Sequence, residues 1–272
     1  MSSAPRSTSP GVGHLDVEQF HRTGWCLVPD VFTAEECDVI TTHVEAAAFR
    51  LDLGRREDGQ MVYRPMMHLS DPFLASVCTD PRWAPIVVPL VGPDVRLYWE
   101  QCVAKPPGTG TELPWHQDNG YTPLIPEAYL TCWLALDDAD EDNGGLRLLP
   151  ASHTSGTRPH RDDVDGNPYF RVGSEAGPAD GIAVTVPKGS VLVFSSLILH
   201  RSGPNHTTDR ERRAWIIQFC PADARSALSN KPLDDRLRVA ADGRWLDEPV
   251  RDREIDLVAM LANYQSGQRS SR

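Results

Sequence analysis

The chain has 272 residues, of which 40% are hydrophobic, so it can bury one substantial core in a single catalytic domain. Its formal net charge of −11 repels phosphates and anionic lipid headgroups, so we expect neither nucleic acid nor a membrane as a partner. The six cysteines form no C-x-x-C pair and no apolar run is long enough to cross a bilayer, which predicts a cytoplasmic protein with buried thiols.

The N-terminal part of the chain predicts helices. A short helix is expected over 16–23 and a strand over 25–29. Thr33 and Glu36 have the spacing of a capping box, in which each side chain bonds the backbone of the other, and the helix that they open should end near residue 53. A second helical stretch is predicted at about 81–90.

Strands dominate the following part of the chain. Apolar, β-branched and aromatic residues predict them over four segments, 95–103, 129–136, 191–199 and 214–220. No long crossover helices separate these segments. This segregation predicts a mainly β, α+β fold, with a helical layer packed against one sheet of a β-sandwich or barrel. The polar segment 154–186 is too long for a hairpin turn, and we expect a lid or substrate loop there.

The domain boundaries follow from these elements. We expect one domain over 14–265, made of a helical N-terminal part (14–93), a β core (94–222) and a C-terminal extension (223–265). The flanking residues 1–13 and 266–272 are rich in small and polar residues and are predicted to be tails.

The first candidate for chemistry is a His-x-Asp triplet. Two histidines and one carboxylate on one side of an iron ion leave positions open for a cosubstrate and oxygen. Alternate residues of a strand point to the same side, so His116 and Asp118 would face one ion together. Two more such triplets begin at His14 and His160, but they lie in polar, strand-poor surroundings that are typical of solvated surface pairs.

His200 is the candidate for the third ligand. It closes the apolar run VLVFSSLILH, where a histidine is by itself more often a buried, hydrogen-bonded core residue than a metal ligand. The residues that follow favour the functional interpretation. Arg212 opens the last predicted strand and could bind a carboxylate with its planar fork of donors, and Ser202 could add a hydroxyl. The neighbouring Arg213 remains an alternative.

Several motifs occur in an order that resembles one protein family, the phytanoyl-CoA dioxygenases. They are Gln101-x-x-x-Lys105-Pro-Pro-Gly, Trp115-His-Gln-Asp118, Trp133-Leu-Ala-Leu-Asp-Asp, Asn143-Gly-Gly-Leu, Leu149-Pro-Ala-Ser-His153, His200-Arg-Ser-Gly-Pro-Asn205 and Asp209-Arg-Glu-Arg-Arg-Ala-Trp215. The motifs agree in order over roughly residues 95–220, and the helical N-terminal part is similar too, so the resemblance covers most of the chain. Two departures are visible: the segment from His200 to Arg212 is one residue longer than usual, and position 201 is Arg where Gly is more common.

The resemblance implies a double-stranded β-helix (jelly roll, cupin-like) and a non-haem oxygenase that uses Fe(II), 2-oxoglutarate and O2. The implied iron ligands are His116, Asp118 and His200. Arg212 is implied to hold the distal carboxylate of 2-oxoglutarate. Three further residues are implied to line the cosubstrate, namely Ser202, Trp133 and Gln101. For Asn143 and His153, a structural role in a turn is expected instead.

The expected reaction is hydroxylation of an unactivated C–H bond in a small metabolite, for example in bacterial secondary metabolism, with release of succinate and CO2. Asp118 argues against halogenation, because the halogenases of this chemistry carry a small residue there. Desaturation, cyclisation and epimerisation stay open, as do a monomer and a homodimer. Candidate pocket residues are Tyr63, Met66, Met67, Tyr121 and Phe170. Two other classes remain as alternatives, a zinc hydrolase and a non-catalytic jelly-roll binding protein.

Overall fold

The computed structural model describes residues 13–50, 61–161, 173, 176–177 and 179–255. The predicted tails therefore lie almost wholly outside the described residues, as do Phe170 and much of the predicted loop at 154–186. The domain boundaries drawn from the sequence stay predictions. Among the described residues no helix has both the length and the apolar character needed to cross a membrane.

Four α-helices occupy the N-terminal part of the described chain: α1 (Val17–Thr23), α2 (Ala34–Arg50), α3 (Pro72–Cys78) and α4 (Ala84–Val91). The capping box predicted for α2 is present, because the Thr33 amide donates to the Glu36 carboxylate at 2.8 Å and the Glu36 amide donates to the Thr33 hydroxyl at 3.2 Å. The helix α3 was not predicted from the sequence. It begins at Pro72, and the side chain of the preceding Asp71 accepts hydrogen bonds from two backbone amides of its first turn.

Fourteen strands are described, namely β1 (Trp25–Val28), β2 (Val62–Pro65), β3 (Val95–Lys105), β4 (Leu113–His116), β5 (Leu124–Ile125), β6 (Leu130–Ala135), β7 (Leu146–Leu148), β8 (Ile182–Ala183), β9 (Val191–Ser195), β10 (His200–Ser202), β11 (Arg212–Pro221), β12 (Arg225–Ser226), β13 (Arg238–Ala241) and β14 (Arg244–Val250). The larger sheet has the order β1-β9-β6-β11-β3-β13-β14, with β2 also paired to β3. The smaller sheet has the order β4-β10-β7-β8. The strand β12 pairs with β5.

Two hydrophobic clusters explain the layers. One packs the helices against one face of the larger sheet and includes Phe32, Trp83 and Trp215. The other lies between the two sheets and includes Trp133, Leu148 and Phe194. Side chains alternate between the two faces of a strand, so each central strand serves both clusters. The mainly β jelly roll with a helical layer on one sheet is thus confirmed.

One predicted strand is wrong in its extent. The segment expected over 191–199 ends at Ser195, where the Ile198 amide donates to the Ser195 carbonyl at 3.0 Å and forms a turn. His200 therefore does not close a strand of the larger sheet but opens β10 in the smaller one. Apolar content could not reveal this break, because the turn residues Leu197, Ile198 and Leu199 are buried like those of the strand.

Candidate metal centre

The histidine and aspartate of the selected triplet lie where β4 ends. His116 is the last residue of β4, and a short 3₁₀ helix, Asp118–Gly120, follows it. Gln117 between them keeps an extended backbone, with φ −115° and ψ 136°, so the alternation of a strand continues to Asp118. The antiparallel pairing of β4 with β10 then sets His116 directly opposite His200. Sheet register thus brings together residues 84 positions apart.

The ligand atoms of His116, Asp118 and His200 all lie within 4.8 Å of one another. Asp118 Oδ1 is 3.8 Å from His116 Nε2 and 3.5 Å from His200 Nε2. Both imidazoles are buried, and their ring centroids are 4.1 Å apart. Within the described part of the chain, this is the one group of three such side chains that the geometry makes able to hold a metal ion.

The tautomers of both histidines follow from their neighbours. His116 Nδ1 lies 2.7 Å from the Pro114 carbonyl, and His200 Nδ1 lies 3.1 Å from the Ile198 carbonyl. A carbonyl can only accept, so each Nδ1 carries a hydrogen, and in the neutral imidazole Nε2 is then the nitrogen with the lone pair. Such outer bonds fix the ring of a metal ligand and raise its basicity. Both Nε2 atoms therefore face Asp118 in the form that binds a metal.

Burial and charge shift the pKa values of His116 and Asp118. Burial, followed by repulsion from His200, lowers the pKa of His116 to about 3. Burial also acts to raise the pKa of Asp118, but attraction and hydrogen bonding to His200, with further help from His116 and Thr131, outweigh it and lower that pKa to about 2. At neutral pH His116 is neutral and Asp118 is a carboxylate.

The two arginines at the start of β11 have opposite surroundings. Arg213 makes two bonds to the Asp137 carboxylate, at 2.7 and 2.8 Å, and this pairing raises its pKa. Arg212 is buried, and within the described chain it has no carboxylate within ion-pair distance and its Nε has no hydrogen-bond partner. Its guanidinium lies 5.7 Å from the centroid of the Trp133 ring. Burial lowers the pKa of Arg212 to about 10.

Lys105 is a site residue to which the sequence analysis gave no role. It is the register partner of Arg212 on β3 and is fully buried. Its Nζ donates to the Ser202 hydroxyl at 2.8 Å and to the carbonyls of Ser202 and Gly203. Burial first, and then repulsion from Arg212, holds its pKa well below the usual range. The available signal was the lysine's place at the end of a strand, inside a motif and in a chain with three lysines.

Two of the predicted lining residues, Gln101 and Trp133, share the inner face of the larger sheet, and the third, Ser202, lies on β10 of the smaller sheet. Gln101 and Trp133 flank Ile216 of β11 in register, on β3 and β6. Ser202 contacts Lys105 through its hydroxyl rather than forming a described pair with Arg212. Two buried basic side chains, Lys105 and Arg212, are thus register partners. Because a buried charge is costly without a counterion, this place suits an acidic ligand.

The histidine of a rejected triplet lies against the same strand. His160 was expected in a solvated pair, but its Nε2 accepts a bond from the Gln117 amide at 2.9 Å. Its ring also sits so close to Gly120 that a Cβ there would lie 2.4 Å from it. The amide of Arg158 donates to the Gln117 side chain at 2.7 Å. The beginning of the polar segment is therefore docked on the metal motif, a contact between distant residues that spacing alone does not encode.

The turn residues behave as expected. Asn143 is buried and its side chain closes a turn, accepting from the Asp140 amide at 2.9 Å and donating to the Asp138 carbonyl at 2.7 Å. Gly144 follows with φ +81°. Among the candidate pocket residues, Tyr121 packs edge-on against His116 at 5.5 Å between centroids, whereas Met67 belongs to the helical core.

Comparison with known proteins gives consistent results. Residues 20–214 match the family described as Phytanoyl-CoA dioxygenase (PhyH). A probable alpha-ketoglutarate-dependent hypophosphite dioxygenase of Stutzerimonas stutzeri is 32% identical over 57% of this chain, and the match spans about half of that relative, 55%. An ectoine dioxygenase of S. stutzeri strain A1501 is 27% identical over 81% of this chain and 86% of its own length. The crystal structure of EvdO2 from Micromonospora carbonacea var. aurantiaca, complexed with 2-oxoglutarate, superposes with a TM-score of 0.65 and 23% identity, covering 81% of this chain and 96% of that one.

Proposed function

This chain belongs to the phytanoyl-CoA dioxygenase family, and from that premise we propose that it is an Fe(II)- and 2-oxoglutarate-dependent oxygenase that hydroxylates a C–H bond of a small metabolite. One observation carries the proposal. The two Nε2 atoms of His116 and His200 and one oxygen of Asp118 converge, each histidine with its other nitrogen already committed as a donor. Two imidazoles and one carboxylate form the ligand set of non-haem iron(II) oxygenases.

The roles of the remaining residues follow from the charges beside the cluster. Arg212 would bind the distal carboxylate of 2-oxoglutarate, because its buried guanidinium has no anionic partner in the described chain. Lys105 on the adjacent strand β3 and Ser202 on β10 of the smaller sheet would add donors. Trp133 and Gln101 would line the same cosubstrate from the inner face of the sheet. Arg213 is occupied by Asp137, which favours Arg212 for this role.

When bound, iron would activate O2 as the oxidant, and 2-oxoglutarate would be oxidised to succinate and CO2 in the same reaction. The chain would orient the cosubstrate and exclude water from the site. Arg212 and Ser202 would fix the cosubstrate, while the buried faces of Trp133 and Phe194 exclude water from one side. Two of the relatives are named for hypophosphite and ectoine, which are small molecules, and this supports a small metabolite as the substrate.

The first experiment is anaerobic addition of Fe(II) and 2-oxoglutarate to the purified protein, monitored for the weak visible absorption band of their chelate. We expect the band with the wild type and its loss in His116→Ala and His200→Ala. His206→Ala is the matched control, because His206 is exposed and lies outside the cluster. A zinc hydrolase or a binding protein would give no band with the wild type, and that result would refute the proposal.

The reaction type needs a second measurement. Succinate release is followed while small metabolites are supplied one by one, and the products are weighed by mass spectrometry. Hydroxylation adds one oxygen atom to the product, whereas desaturation or cyclisation removes two hydrogens and epimerisation leaves the mass unchanged. A product without added oxygen would replace hydroxylation by one of these outcomes on the same cofactors.

A further inference from the structure

The second oxygen of Asp118 has two hydrogen-bond donors of its own. Thr131 Oγ1 lies 2.7 Å from Asp118 Oδ2, and Gln218 Nε2 lies 3.0 Å from the same atom. Gln218 Nε2 is also 3.1 Å from Thr131 Oγ1. Since the hydroxyl hydrogen of Thr131 points to the carboxylate, its lone pair accepts from the amide. Asp118 Oδ2, Thr131 Oγ1 and Gln218 Nε2 are thus the three corners of a hydrogen-bonded triangle.

Sheet register holds this triangle in place. Thr131 on β6 and Gln218 on β11 are directly paired, and both side chains are buried. A buried hydroxyl or amide costs free energy unless it is hydrogen-bonded. Their bonds to Asp118 and to each other meet that requirement. The carboxylate that they contact thus explains why two buried polar residues occupy paired positions of β6 and β11.

We propose that Thr131 and Gln218 are positioning residues that make Asp118 a one-oxygen metal ligand. They occupy Oδ2 with two donors, while Oδ1 faces the Nε2 atoms of His116 and His200 at 3.8 and 3.5 Å. A carboxylate held in this way presents one oxygen to the ion and leaves a coordination position to the cosubstrates. The inference rests on the proposed metal site and deepens it.

The chemistry of position 218 supports this role. Asp118 Oδ2 can only accept, so the amide of Gln218 must turn its NH2 group toward it. A glutamate of the same size would offer no donor at neutral pH and would add a second negative charge beside the first. The amide supplies what the charged side chain cannot, namely a neutral donor that holds the carboxylate without competing for the metal.

The test uses the whole protein and Fe(II) or Co(II) as the sole added ligand. We expect Thr131→Val and Gln218→Leu each to weaken metal binding about tenfold, as loss of an outer hydrogen bond to a ligand typically does. Thr131→Ser keeps the hydroxyl and should bind as the wild type does. The double variant should lose less than the product of the single losses, because both donors act on one oxygen.

Infrared difference spectra of protein labelled with ¹³C-aspartate measure the carboxylate stretches directly. A residue with a merely structural role would leave these stretches unchanged. The separation of the two carboxylate stretches reports one-oxygen or two-oxygen coordination. We expect the one-oxygen pattern in the wild type and Thr131→Ser, and a shift toward the two-oxygen pattern in Thr131→Val and Gln218→Leu. Gln218→Glu conserves the side-chain volume, and it serves as the second variant if Gln218→Leu does not fold.

The outcomes separate the two proposals. A wild type that binds no metal would overturn the oxygenase proposal as well. In the other outcome, the wild type binds iron and 2-oxoglutarate while Thr131→Val and Gln218→Glu match it in metal affinity and in the carboxylate stretches. That result would overturn the positioning role alone.

Discussion

Replacement of Arg212 by methionine tests the part of the site that is electrostatically most unusual. The guanidinium is buried beside Trp133 and Lys105, and its pKa is lowered to about 10 because burial disfavours its charge. An acidic cosubstrate would supply the missing counterion. Charge-assisted bonds are worth about 1.5–3 kcal/mol, so Arg212→Met should weaken 2-oxoglutarate binding about 10- to 150-fold while the metal stays bound.

The same variant should have the opposite effect on the ligand-free protein. Removal of a buried charge that has no partner, in favour of an apolar side chain of similar length, is often neutral or stabilising. We therefore expect Arg212→Met without cosubstrate to melt at the wild-type temperature or above it. Added 2-oxoglutarate should raise the melting temperature of the wild type much more than that of the variant.

Calorimetric titration of 2-oxoglutarate into the anaerobic Fe(II)-loaded protein, combined with thermal unfolding, measures both effects. Arg213→Met is the matched control, since it removes the same side chain one residue away and breaks a pair with Asp137 whose side chains are 23% and 19% exposed. The control should retain cosubstrate affinity and lose at most about 1 kcal/mol of stability. Unchanged affinity in Arg212→Met with weakened binding in Arg213→Met would refute the assignment and move the role to Arg213.

Three further predictions concern stability. His116 takes up a proton near pH 6.5 in the unfolded chain but only near pH 3 in the folded chain. The free energy of unfolding of the metal-free protein should therefore fall as the pH is lowered from 6.5 to about 3. The decrease should be smaller in His116→Phe. Trp215→Phe removes the 2.6 Å bond that Trp215 Nε1 donates to the buried Glu100 carboxylate and should cost about 1–3 kcal/mol in urea unfolding. Gly189→Ala should cost at least about 2 kcal/mol in the same assay, because φ is +84° there and a Cβ would lie 2.0 Å from the Phe32 carbonyl oxygen.

Each of these predictions has a contrary result. An identical pH dependence in wild type and His116→Phe would mean that the imidazole is not held neutral by the fold. A Trp215→Phe variant as stable as the wild type would show that Glu100 finds another donor. Wild-type stability in Gly189→Ala would show that the β9 turn can move away from Phe32.

The sequence itself determined the class of the fold, most of the helical N-terminal part and the pairing of His116 with Asp118 as candidate ligands. Local patterns were sufficient for the capped helix and for this pair, because caps and strand alternation act over a few residues. Thr33 and Glu36 cap α2 as their spacing predicts. His116 and Asp118 face one point because the backbone between them is extended. The family motifs pointed to His200 and Arg212 from their flanking residues.

Tertiary structure decided everything that depends on the pairing of distant strands. The register of β4 with β10 sets His200 opposite His116, and the register of β11 with β3 sets Arg212 beside Lys105. Arg212 and Arg213 are adjacent residues of the same type, and only the ion pair of Arg213 with Asp137 shows that their environments differ. A one-residue slip in a sheet would turn each of these side chains to the opposite face. These contacts depend on the register between strands that are distant in the sequence. No local spacing encodes that register, so only the folded chain shows which side chains lie together.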